Sequence, residues 1–389
     1  MSQPKSMRAI VFPGPGGPEL LQPGDIPVPE LIPGHALLRV YATSVNPVDV
    51  KIRQGLPIAP ETPAVLHGDV AGVIEAIAPD VRESHPEGLR AGDAVYGCCG
   101  GVRGSGGALA EYMLVDARLL AKTPPELSFA EAAALPLVTI TAWEALFDRA
   151  GLPEPAALSA SQPEPAPTGG PDRFATSDAS GARHADPSRP PQKNPHGESI
   201  LIQGGAGGVG HVAVQLAKAS VGPETRVYAT ASSGVKQRLV ESLGATPIPY
   251  REETVEEYVA NRTDGAGFAL VFDTVGGASL DASFAAVARG GQVCAIATRS
   301  THDLSPLHTK GASLHVIFML QPLLFNAGRA RHGEILRMAA KLVTAKKLRP
   351  LIDERRFPFS RAAEAHSHYE SGRATGKIVL ENDLGSRKT

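Results

Sequence analysis

The chain has 389 residues, 42% hydrophobic and 20% charged, which excludes wholesale disorder and calls for two or more domains. Lys+Arg 38 against Asp+Glu 40 gives a net charge of -2, so no global field draws it toward nucleic acid or anionic lipid. Three cysteines exclude a disulfide framework, and no apolar run reaches signal-peptide or membrane-span length, so a soluble cytoplasmic protein is the expectation.

The first part reads as β-rich. Ala36–Thr43 and Gly72–Ile77 are rich in strand formers, and Pro and Gly punctuate 13–18, 27–33 and 100–107. Helical stretches are expected over Phe129–Ala134 and Val138–Arg149. Residues 152–197 then hold 10 of the 34 prolines, a single aromatic (Phe174) and no Val or Ile. Such a segment buries too little apolar area to offset its ordering entropy and is expected to be a flexible loop. Closure entropy grows only logarithmically, so a loop of this length costs a folded domain roughly 2 kcal/mol more than a short one.

Beyond it strands and helices alternate. Ser199–Gln203, Arg226–Ala231, Phe268–Asp273 and Gly291–Ala297 read as buried strands, with helices over Val209–Ser220 and Val235–Leu243. Spacing of this kind builds βαβ units, so the fold class is α/β with a doubly wound parallel sheet. Leu314–Leu324 reads as core or dimer interface, and Lys377–Leu380 as a strand.

One motif stands in a binding context. Gly205-Ala206-Gly207-Gly208-Val209-Gly210 matches G-x-G-x-x-G, follows a buried strand and opens an amphipathic helix. Glycines there permit a tight turn and let backbone N–H groups reach a pyrophosphate at the positive end of the helix. The end of the second strand decides between dinucleotides. An acid there holds the ribose 2′-OH of NAD, whereas this chain places Ser232, Ser233 and Lys236, groups that attract a 2′-phosphate. The expected cofactor is NADPH, with Tyr250 and Arg251 as secondary candidates for the same phosphate.

Further runs carry a family likeness. Val45-Asn46-Pro47-Val48-Asp49 with Lys51 and Gly55, Gly68-Asp69-Val70-Ala71-Gly72, Gly92-Asp93 with Val95-Tyr96-Gly97, Ala110-Glu111-Tyr112, Thr141-Ala142-Trp143, Phe272-Asp273-Thr274-Val275-Gly276-Gly277 and Gly376-Lys377 resemble medium-chain dehydrogenase/reductases. The match is to the zinc-independent quinone oxidoreductase and enone (enoyl) reductase branch. It implies a GroES-like catalytic domain from 1–137 and 347–389, and a Rossmann domain over 138–346 interrupted by the 152–197 loop. A homodimer is implied too. Val275, Ala297 and Lys377 carry over as cofactor-binding positions.

Departures from the zinc-dependent relatives bear on the chemistry. A ligand Cys is missing where Asn46 begins its motif, His67 is one place out of register, and the four-Cys lobe is absent, so no metal is expected. Hydride addition to the β-carbon of an enone, enal or enoyl group, or to a quinone, puts charge on an oxygen that hydrogen-bond donors can hold. Lys51 is the expected donor, against an ordinary surface lysine. Asn46 would orient substrate or ribose, against an Asx turn before Pro47. Thr141 would contact the nicotinamide, against a helix hydroxyl bonded to its own backbone. His315, His332, His366 and His368 read as surface or packing residues, and Cys98-Cys99 as packing. The rival class is a non-catalytic NADPH-binding protein of the same fold.

Overall fold

The computed structural model describes residues 5–155, 158, 199–232 and 234–385. The expected loop beyond residue 158, and Ser233, lie outside them.

Two large sheets organise the molecule. The first contains β3 (His35–Ser44), β5 (Asp69–Ile77), β6 (Ala94–Cys98), β7 (Tyr112–Asp116), β8 (Leu120–Lys122), β15 (Phe357–Pro358) and β16 (Val379–Glu381). Its order is β15-β16-β3-β5-β6-β8 with β7 also on β3, and every pair is antiparallel except β15–β16. A small sheet, β2-β1-β4, flanks it, from β1 (Ser6–Phe12), β2 (Gln22–Pro27) and β4 (Ala64–Val65). The chain's tail therefore closes the sheet that its beginning opens: β16 pairs with β3 through Val379–Ser44, Leu380–Thr43 and Glu381–Ala42.

The second sheet is wholly parallel: β9 (Ser199–Gln203), β10 (Arg226–Thr230), β11 (Thr246–Ile248), β12 (Phe268–Asp273), β13 (Val287–Ala295) and β14 (Ser313–Val316). Its order, β11-β10-β9-β12-β13-β14, reverses direction between β9 and β12. Central strands such as Ser199–Gln203 are almost continuously buried, as strands covered on both faces must be.

The helices that matter for the site are α1 (Pro47–Arg53), α2 (Pro136–Trp143), α3 (Gly208–Ser220), α4 (Gly234–Ser242), α5 (Ala278–Ala286), α6 (Arg329–Thr344) and α7 (Ala362–Glu370). Pro47 and Pro136 stand in the first turns of α1 and α2, where their missing N–H costs nothing. The helix expected over Val138–Arg149 instead widens at Glu144 into a π-helical turn, closed by Ala150 N–H donating to the Ala145 carbonyl at 3.0 Å. The strand expected over Gly291–Ala297 starts earlier, at Val287, and ends at Ala295, so Ala297 lies in the following turn. Leu314–Leu324 divides: Met319, Leu320 and Leu323 are buried, while Val316 and Phe318 are exposed beside the sheet edge.

Candidate active site

The parallel strands end together at one edge. Register pairs Gln203 with Asp273, so the turns after β9 and β12 lie side by side where the strand order reverses, the place such sheets offer to ligands. Gly204 holds φ +75°, and its N–H donates to Thr230 Oγ1 at 2.8 Å. A Cβ on Gly205 would collide with Ala229, and one on Gly210 with the Gly204 carbonyl; on Gly208 the nearest atoms stand at 3.4 and 3.5 Å. Two of the motif glycines are thus demanded by the turn itself. Gly207, exposed, precedes the first residue of the 13-residue α3. A glycine-rich turn that opens a helix in this way has the backbone N–H groups and the dipole that suit a bound phosphate.

The remaining predicted cofactor residues ring this edge. Ser232 follows β10 and Tyr250 follows β11 by the same two residues, in strands paired at Thr230–Ile248, with Lys236 in the first turn of α4. The Arg251 guanidinium lies 6.0 Å over the Tyr250 ring. Asp273, fully buried, accepts from the N–H groups of Val275 and Gly276 and from Ser279 and Ser283, and so shapes the β12 turn. Val275 is 56% exposed, with Cγ2 beside Gly204, and the Ala297 carbonyl abuts Gly276.

The second half of the site is a buried polar knot. Asp69 accepts from Ser44 Oγ at 2.8 Å, Asn46 Nδ2 at 2.8 Å and Leu137 N–H at 2.8 Å. Lys377 Nζ donates to Asn46 Oδ1 and to the Val45 carbonyl at 3.0 Å, and stands 3.5 Å from Asp69 Oδ2. Burial lowers the Lys377 pKa while the Asp69 and Asp49 carboxylates oppose that shift. Asp49, third residue of α1, accepts from Asn46 N–H at 2.7 Å, and burial raises its pKa to about 7.

Beside the knot runs a chain of donors with one consistent assignment. Arg53 Nε–H can only donate, so His366 Nδ1 accepts at 3.3 Å. His366 Nε2–H then donates to His67 Nε2 at 2.9 Å, His67 Nδ1–H points to Thr43 Oγ1 at 3.4 Å, and Thr43 donates to the Asp69 carbonyl at 2.5 Å. Both imidazoles are neutral: burial drives the pKa of His67 down, and that of His366 to about 3. Arg53 is closed off outwardly by Glu370 at 2.5 Å.

The two halves meet through the tail. Gly376 N–H donates to the Ala206 carbonyl at 3.3 Å, and the Lys377 side chain passes Gly208. The alkyl stem of Lys377 therefore lies beside the glycine-rich turn, its ammonium being engaged in the knot. Asn46 has no exposure, and both ends of its amide are held by protein groups; it is also the N-cap of α1, in a capping box with Asp49, the local role expected of an Asn before Pro47. Thr141 donates to the Leu137 carbonyl at 2.7 Å, the backbone alternative raised by its helical position. Lys51 is exposed on α1, outside the knot.

Comparison with known proteins sets this geometry in a family. Residues 32–125 match the model of the alcohol dehydrogenase GroES-like domain, and 243–380 that of the zinc-binding dehydrogenase. Over 388 residues the chain is 32% identical to the NADPH-dependent alkenal/one oxidoreductase, chloroplastic, of Arabidopsis thaliana, covering 97% of this chain and 80% of that one. The chain belongs to the medium-chain dehydrogenase/reductase superfamily, in its quinone and enone reductase branch. This medium-chain reductase is also 27% identical to the quinone oxidoreductase of Homo sapiens, over 97% and 98% of the two chains. An alcohol dehydrogenase superfamily protein from Novosphingobium aromaticivorans superimposes with a TM-score of 0.80 at 38% identity, over 96% and 99%. The protein is an oxidoreductase, with the two-sheet architecture of its family.

Within the reductase, sequence reasoning missed Ser44, Thr43 and the Arg53–His366–His67 chain. Asp69 was visible only as part of a family run. A detectable signal did exist: an Asp opening the apolar stretch Asp69–Ile77 must find several donors once buried. Among the described residues no group of three or more His, Cys, Asp or Glu is arranged to hold a metal ion.

Proposed function

We propose that the protein reduces activated C=C bonds of enones, enals or enoyl compounds, and quinones, with NADPH and without zinc. The observation that carries this reading is the junction of Gly376 and Lys377 with the glycine-rich turn, which brings the Asn46 knot to the edge that this reading assigns to the dinucleotide. NADPH, when bound, supplies the hydride. Gly204–Gly208 and the N-terminus of α3 hold its pyrophosphate, and Ser232, Lys236 and Tyr250 hold the 2′-phosphate at a strand end that carries no acid.

Lys51 presents an ammonium from the exposed face of α1, anchors the substrate carbonyl oxygen and stabilises the charge that gathers there. The same group returns a proton to the reduced product. One such donor is worth roughly 10²–10³ in rate. Zinc independence is supported by the Lys377 ammonium, which stands at the Asp69 carboxylate and repels a dication. The domain division at 137 and 347 follows the same logic, because β16 belongs to the first sheet.

We also read the β14 edge, with Val316 and Phe318 exposed, as the face on which a second copy pairs to give the homodimer. The test of function is NADPH consumption against a panel of enones, quinones and saturated aldehydes. Turnover is expected with the first two and not the third. Tight NADPH binding without any turnover would leave a binding protein instead.

A further inference from the structure

The β12 and β13 ends carry a second cluster that the reductase chemistry does not use. Asp281 is the fourth residue of α5, and Ser300 and His302 lie in the segment that follows β13. Ser300 Oγ lies 2.6 Å from His302 Nε2, and His302 Nδ1 lies 2.7 Å from Asp281 Oδ1. The imidazole is 9% exposed, and Phe284 packs against it edge-on with centroids 6.0 Å apart, whereas Ser300 is exposed. A nucleophile, a base within hydrogen-bond reach and an acid orienting that base form the arrangement that activates a hydroxyl.

We propose that Ser300, His302 and Asp281 form a separate hydrolytic centre for small activated carboxylic esters. Asp281 holds Nδ1–H and so leaves Nε2 free to accept. Ser300 Oγ bonds to the ester carbonyl carbon while Nε2 takes the hydroxyl proton. The carbon–oxygen bond to the alcohol breaks, and that oxygen takes the proton from His302, leaving an acyl-Ser300. Water then attacks the acyl carbon, gives a proton to Nε2, and Oγ leaves with it. The sum is ester plus water to acid plus alcohol, with no redox change. Solvent on Ser300 and on Asp281, 58% exposed, sets the substrate class: only esters with a good leaving group suit so open a site.

Full-length protein without NADPH is treated with a fluorophosphonate, and the adduct is located by peptide mass spectrometry, alongside p-nitrophenyl acetate hydrolysis. The expected result is one phosphonyl group on Ser300, absent from Ser300→Ala and at least roughly 10²-fold slower to form in His302→Gln. Ester hydrolysis falls with it, while Ser300→Ala keeps its NADPH-dependent reductase rate. No adduct on Ser300 overturns the proposal. So does labelling that persists unchanged in His302→Gln, which marks a bare serine, or ester hydrolysis unchanged in Ser300→Ala. Failure of the reductase assay leaves these readouts untouched.

Discussion

Lys377, 3% exposed, keeps an ammonium inside the protein because Asn46 Oδ1, the Val45 carbonyl and Asp69 surround it. Lys377→Met keeps the stem beside Gly208 and strands the Asp69 charge. Breaking a buried pair in this way costs about 3–5 kcal/mol, which urea unfolding measures against wild type at pH 7. The acids and imidazoles around it pull stability in opposite directions with pH. For Asp49 the folded pKa, about 7, lies above the usual 3.8, so its contribution is present at low pH and is lost as pH rises from about 4 through 7. Asp49→Asn is expected to remove that loss, its unfolding free energy meeting the wild-type value near pH 4 and exceeding it at pH 8. For His366 the folded pKa is depressed to about 3, so its contribution is present above 6.5 and is lost as pH falls below that. His366→Gln flattens the acid side alone, and equal acid sensitivity of variant and wild type contradicts the donor chain.

At the scale of elements, the glycine-rich turn separates backbone need from ligand need. Gly210→Ala drives a Cβ into the Gly204 carbonyl and is expected to abolish NADPH binding, whereas Gly208→Ala has room and leaves the fold intact. Calorimetry on both variants checks the pair, and intact NADPH affinity in Gly210→Ala refutes the packing account. This turn was readable in advance because its signals are local: a five-residue buried strand, glycines at fixed offsets, and a helix of 3.6 period. Phe268–Asp273 was readable to the residue for the same reason. The knot was not. Lys377 meets Asp69 across 308 positions and His366 meets His67 across 299, and no periodicity or motif encodes pairings that only the folded sheets create. Asn46, singled out to orient substrate or ribose, is fully buried: Asp69 holds one end of its amide, and Lys377, from the far end of the chain, holds the other.

At the scale of the whole molecule, two sheets are joined by a tail that starts beside the turn and finishes in the first sheet, so one segment links the glycine-rich turn to the polar knot. The exposed β14 edge is the counterpart on the outer face: Val316→Lys with Phe318→Lys is expected to halve the mass seen in sedimentation, and an unchanged mass contradicts the pairing of copies there. The class of fold was readable from strand and helix alternation, and the sheet edge only as an apolar run. The proposed function ties these scales together as hydride delivery to carbon at the junction of the two halves. The most direct measurement uses NADPH deuterated at the transferring carbon of its nicotinamide, with 3-penten-2-one as substrate and mass and NMR analysis of the product. The expected product is 2-pentanone with deuterium on the former β-carbon. Deuterium on the carbinol carbon of an allylic alcohol would contradict the account.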